Sequence, residues 1–272
     1  MKKSLLALAV LSAFAGAASA QSSVTLSGRV DAGLIRQNGA WNMGGSQSGY
    51  NALTFSGRED LGGGMNAFFT LNHRFGINDG SINNPGGASN FYRNVFVGLG
   101  GGFGDVRLGR MLMPLQEWNG AFDAFDTGYV ASTHTGGIMA TVRSTNTIYY
   151  RSPSLGGFFA HAGIAAGDNQ IRGECCNYPN STVAGTTLGI PATINGERPV
   201  GFALGYNSGP IRVVVAYDKN PLDLKTVGLY GGFNAGFANI MAQFERGDTT
   251  LDEKVKRWSV SAKVPLGAVT FK

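Results

Sequence analysis

Hydrophobic and polar positions alternate along most of this chain. In MNAFFTLNHRF, residues 65–75, Met65, Ala67, Phe69, Leu71 and Phe75 share one parity, while Asn66, Thr70, Asn72 and Arg74 share the other. Phe68 is the apolar exception on the polar side. The same period of two sets Val24, Leu26, Val30, Ala32 and Leu34 against Thr25, Ser27, Arg29 and Asp31, and Trp258, Val260, Ala262 and Val264 against Arg257, Ser259, Ser261 and Lys263. A period of two over eight to eleven residues is the β-strand signal. No amphipathic helix of twelve residues stands out after Val24.

The pattern predicts thirteen strands, over 24–36, 50–60, 65–75, 90–99, 105–112, 143–152, 158–166, 200–207, 211–218, 225–233, 237–245, 255–264 and 268–272. Short glycine-rich turns, such as LGGG at 61 and GGGFG at 100, alternate with longer polar stretches at 37–49, 76–89, 113–143, 167–199, 219–224 and 246–254. Tight turns at one end and long loops at the other describe an up-and-down antiparallel meander. A soluble sandwich also alternates, but its connections need not sort by length. An outer-membrane β-barrel presents its apolar face to lipid and its polar face to a watery lumen. Strand length and loop asymmetry favour that barrel, and Tyr50, Phe75, Phe91, Tyr92, Phe103, Phe158, Tyr206, Tyr217, Phe233, Phe237 and Trp258 would supply its interfacial girdles.

Composition narrows the classes further. Glycine makes up 42 of 272 residues without a collagen period, and charged residues make up only 14%. The first twenty residues, MKKSLLALAVLSAFAGAASA, read as a secretory leader with Lys2 and Lys3 ahead of an apolar run and small residues at the end, so the mature chain is expected to begin at Gln21. Without that leader 20 basic residues face 17 acidic ones, too small a surplus for a nucleic-acid footprint. Cys175 and Cys176 are adjacent, make no disulfide framework and read as loop residues; no histidine lies at ligand spacing, so neither a metal nor a cofactor is expected.

Four stretches carry a family likeness: SSVTLSGRVDAGL, GREDLGGGMNAFFTL, NVFVGLGGGFGDVRLGRMLMPL and TNTIYYRSPSLGGFFAHAGI. In this order they resemble the general porins of Gram-negative bacteria, particularly those of beta-proteobacteria. The resemblance implies a transmembrane β-barrel of about sixteen strands in the outer membrane, a homotrimer surrounded by lipid, and passive diffusion of ions and small hydrophilic solutes without a cofactor. It also implies that the third external loop, 113–143, folds inward as a constriction. That loop carries Glu117, Asp123 and Asp126, and the facing wall would offer Arg74, Arg110, Arg143 and Arg151. Acids opposite arginines would set a transverse field that sorts solutes by charge.

Arg110 presents a conflict, because strict alternation from Val106 and Leu108 points it at lipid. It lies either at the rim or beside a bulge at Gly109 that turns it inward, and the likeness favours the bulge. Ala52 and Ser56 stand where such porins commonly carry basic residues, which thins the expected arginine wall. Thirteen is an odd number for a bacterial barrel, and Phe271 and Lys272 fall at the start of a strand. The chain therefore reads as C-terminally incomplete, and any closure is expected to pair the first strand with a late one in a barrel of twelve or fourteen strands.

Two other classes remain. His73, His134 and His161 are the only histidines, with parity placing His73 toward lipid and His161 toward the lumen, and none has a nucleophile and carboxylate at recognisable spacing for catalysis. A substrate-specific channel, or a non-conducting surface barrel, is the nearer alternative. Trp118, Phe122, Phe125 and Tyr129 could line a sugar-binding constriction.

Overall fold

The computed structural model describes residues 23–45, 50–80, 93–125, 143–166, 197–221, 223–248 and 253–272. The leader, both cysteines, Phe91, Tyr92, Asp126, Tyr129 and His134 lie outside these residues.

The described strands are, in chain order, β1 (Ser23–Arg29), β2 (Ala32–Gln37), β3 (Ala40–Gly45), β4 (Ala52–Gly62), β5 (Met65–Arg74), β6 (Asn94–Gly101), β7 (Gly104–Leu112), β8 (Arg143–Arg151), β9 (Phe158–Ala165), β10 (Val200–Ser208), β11 (Ile211–Lys219), β12 (Lys225–Asn234), β13 (Asn239–Asp248), β14 (Lys254–Leu266) and β15 (Val269–Phe271). All but β2 and β3 form one antiparallel sheet of thirteen strands in which almost every strand pairs with its sequence neighbours. One short helix, α1 (Pro114–Ala121), follows β7. Twelve of the thirteen expected strands therefore appear within a few residues of their positions.

The first expected strand does not run unbroken. The segment 24–36 divides into β1 and β2, and β2 turns at Asn38 and Gly39 to pair with β3 in a separate two-stranded sheet. β1 pairs instead with β4, Arg29 opposite Ala52. Alternation continues across the break, so sequence parity does not reveal it; the positive φ of Asn38 and Gly39, 52° and 82°, makes the tight turn that sends the chain back within residues expected to be loop. β1 and β15 are the edges of the described sheet, with no pairing between them. The expected closure of the first strand onto a late one is absent from the described residues, and β1 takes β4 as its partner.

Burial follows the period of two. On β13, Met241, Gln243 and Glu245 are buried, while Ile240, Ala242 and Phe244 between them are exposed. The buried parity of β10–β13 meets α1, around which Leu115, Phe122, Ala203, Val214, Ala216, Tyr230 and Met241 form the apolar cluster. The opposite parity leaves Leu204 61%, Val260 66% and Trp258 76% exposed, among a broad band of large apolar side chains. A water-soluble protein does not present such a continuous apolar surface; it marks the side that meets hydrocarbon. The sheet is thus apolar outside, and its only described helix lies against the inner face.

Candidate functional site

The loop after β7 is held against the inner wall along its described length. Pro114 occupies the first turn of α1, where a missing N–H costs nothing. The Leu115 N–H donates to Asp218 Oδ1 at 3.2 Å, placing an acidic group of β11 at the helix N-terminus. At the other end Arg212, also on β11, donates to the Ala121 carbonyl at 3.2 Å and lies 4.3 Å from the Phe122 ring centroid. Asp218 thus satisfies a free N–H of the first turn, and Arg212 a free carbonyl of the last.

Side chains complete the docking. Asn119 donates to Gln243 Oε1 at 3.1 Å and to Glu245 Oε1 at 2.7 Å, Gln243 donates to the Phe122 carbonyl at 2.7 Å, and Tyr230 donates to Glu245 at 2.7 Å. Arg257 on β14 closes this network as an ion pair with Glu245. Trp118 stacks on Phe159 with ring centroids 5.0 Å apart, and Phe122 stacks on Tyr230 at 5.7 Å. The aromatics expected to line a sugar-binding constriction thus fasten the loop to the wall at Trp118 and Phe122, and Phe125 packs against the same cluster.

Glu117 faces the wall on which the helix is docked. It accepts a hydrogen bond from the Tyr149 hydroxyl at 2.5 Å, pairs with Arg151 at 3.4 Å and lies 3.3 Å from His161 Nδ1. Arg151 Nε donates to His161 Nε2 at 3.3 Å, so the His161 ring stands between Arg151 and Glu117. Burial raises the Glu117 pKa, but the His161 hydrogen bond, the Arg151 charge and the Tyr149 hydroxyl outweigh it and hold the carboxyl down at about 2. Glu117 and Arg151 are therefore partners in one ion pair and not opposing poles across the lumen. Asp123 is also turned inward on its own loop, accepting from the Phe125 N–H at 2.9 Å.

The arginines gather on the other side, on β5 to β8. Arg143, buried, donates through Nε to Asn94 Oδ1 at 2.8 Å, and its near charges are Arg74, Arg93 and Arg110. The Arg74 guanidinium lies 3.7 Å from the Tyr50 ring centroid, so Tyr50 belongs to this cluster and not to an interfacial girdle. Arg29 joins from β1 through a 3.1 Å hydrogen bond to the Tyr50 carbonyl. A cation over an aromatic face is stabilised by the ring quadrupole.

Arg110 reaches this group through an irregularity beside Gly109. Gly109 has φ 147°, and the β7–β8 register shifts between Gly109 and Met111, with Gly109 opposite Thr147 and Met111 opposite Ser144. Asn146, the residue in excess on β8, takes φ 52°. Alternation alone would have sent Arg110 into lipid; the irregular backbone leaves it 8% exposed beside other arginines. Sequence reasoning did not place Arg29, Arg93 and Tyr50 at this site: parity put Arg29 on the polar face without showing which residues it meets, and Arg93 and Tyr50 lie just outside β6 and β4, where side-chain direction no longer follows alternation. It also missed Asp218 and Glu245, although their parity on β11 and β13 already pointed them inward.

An antiparallel meander with an apolar exterior, an inward-docked third loop and an arginine-lined inner wall defines an outer-membrane channel protein of the porin class. Residues 7–272 match the model of the Gram-negative porin family, and the chain belongs to that family, which resides in the outer membrane. It is 32% identical over 295 residues to outer membrane porin protein 32 of Delftia acidovorans, covering 99% of this chain and 77% of that protein. A second relative, an outer membrane porin protein of Bordetella pertussis, is 32% identical over 242 residues, covering 80% of this chain and 60% of that protein. The structure also superposes on an anion-selective porin from Comamonas acidovorans with a TM-score of 0.70 and 26% identity, covering 92% of this chain and 76% of that one.

Proposed function

We propose that this chain forms a water-filled outer-membrane channel for passive diffusion of ions and small hydrophilic solutes, with a preference for anions. The observation that carries the preference is the convergence of Arg74, Arg93 and Arg110 on Arg143. Like charges grouped in a narrow, partly desolvated lumen raise the local anion concentration and oppose cations. The docked loop supports the same sign, because Glu117 is neutralised by Arg151 and Asp123 is engaged with its own backbone. Among the predicted lumen residues Arg74, Arg110, Arg143, Arg151, Glu117, Asp123 and Asp126, we assign selectivity to the first three.

The solutes pass without covalent chemistry in this reading, so the protein is a channel and not a catalyst. Its partners are outer-membrane lipid at the apolar face and, as in the family likeness, further copies of itself in a homotrimer. Reversal potentials across planar bilayers in a potassium chloride gradient test the assignment. Permeability weighted toward chloride is expected, and a preference for potassium would overturn it.

A further inference from the structure

A second group of cationic and aromatic side chains stands deeper in the lumen, toward the short-turn end of the sheet. Arg58 on β4 is opposite Phe68 on β5, Phe68 is opposite Gly98 on β6, and Gly98 is opposite Arg107 on β7. Residues directly opposite in register share a face, so these four lie side by side across the inner wall. Both guanidinium carbons are 5.7 Å from the Phe68 ring centroid, and Arg107 is also 5.2 Å from that of Phe96. Phe96 meets Phe68 edge to face at 6.4 Å.

Gly98 makes the arrangement possible. A Cβ there would fall 2.4 Å from the tip of the Phe68 ring, so the ring rests against bare backbone. This accounts for Phe68, the apolar residue on the polar parity of β5: it is a platform set between two arginines. Arg107 is fixed by Asp105, Nε to Oδ1 at 2.6 Å and a second nitrogen to Oδ2 at 3.2 Å. Arg58 is exposed, and its described contact is the Phe68 ring. One guanidinium is thus neutralised in place while the other keeps its donors for a ligand.

We propose that Arg58, Phe68, Phe96 and Arg107 form a second anion subsite, selective for monocarboxylates that carry an aromatic ring. The inference rests on the channel reading, which places this face on the water-filled lumen. Arg58 would bind the carboxylate in a charge-assisted, bidentate fashion, and the two phenyl rings would take the apolar ring of the solute against their faces and edges. Phe68 and Arg74 are separated by six residues on β5, roughly 20 Å along the strand, which exceeds the Debye length of about 8 Å at physiological salt. The two groups of arginines therefore act on a solute one after the other, as conduction through successive weak sites requires.

The test uses 4-fluorobenzoate and the purified chain in detergent, with fluorine line broadening as the binding readout. Broadening is expected, reversed by benzoate and not by equal acetate. Phe68→Leu should lower the affinity by about threefold to tenfold, and Arg58→Gln by at least as much. Arg58 is exposed, so its variant decides the matter if Phe68→Leu does not fold. Absence of broadening, reversal by acetate as readily as by benzoate, or unchanged broadening in Arg58→Gln would overturn the subsite. Chloride current without broadening removes only the subsite, whereas broadening without chloride current leaves the subsite and overturns the channel reading.

Discussion

The carboxylate of Glu117 and the ring of His161 meet at 3.3 Å, joining the inward loop to the barrel wall across β8 and β9. Tyr149 and Arg151 complete this contact, so a residue expected to face an open lumen instead anchors α1 to the inner face of the sheet. Because the Glu117 pKa is held at about 2, below its ordinary 4.5, the anchor contributes fully above about 4.5 and is lost as pH falls through about 2. Single-channel traces should become noisier over that window as the loop loosens. Glu117→Gln should weaken docking by about 1 to 3 kcal/mol and be noisy at every pH, removing the acid dependence.

Replacing Arg143 by glutamine removes a charge from the centre of the arginine cluster. The chloride-to-potassium permeability ratio should fall, because lumen substitutions tune selectivity. The Asn94 hydrogen bond is within reach of the glutamine amide, so heat stability in detergent should change by less than about 1 kcal/mol. A large loss of heat stability with unchanged permeability would make Arg143 a structural residue.

Gly109→Ala should disturb both stability and selectivity. The new Cβ would lie 2.2 Å from the Val95 carbonyl oxygen on the neighbouring strand, at a φ of 147°. A backbone contact of this kind cannot yield as a flexible side chain does. The expected cost is about 1 to 3 kcal/mol, read as a lower unfolding temperature on heat-modifiability gels, together with a lower anion preference as Arg110 shifts.

Leu204→Arg places a charge at the middle of β10 on the exposed apolar face. If hydrocarbon covers that face, the substitution costs roughly 2 to 4 kcal/mol in urea unfolding from lipid vesicles. The same change at Val269, on the short edge strand β15, should cost less if that position lies near the interface. Equal costs below about 0.5 kcal/mol at both positions would mean that water, not lipid, meets this surface.

Residue order alone carries the strands, the faces and the sorting of turns from loops. Alternation is a local property, since neighbouring side chains on a strand must point to opposite sides; this is why β5 and β13 are legible residue by residue. The helix after β7 falls within the segment that the likeness to known porins marks as folding inward. The destinations of that segment's charges are not legible, because they depend on parts of the chain that meet only after folding. Glu117 and Arg151 are separated by 34 positions and Asn119 and Glu245 by 126, and such pairings depend on how a docked helix meets several strands at once. The division of the first expected strand was likewise hidden, and the inward turn of Arg110 was legible only through the likeness to porins, not through alternation. Each turns on a few backbone angles at Asn38, Gly39, Gly109 and Asn146, which a hydropathy pattern does not record.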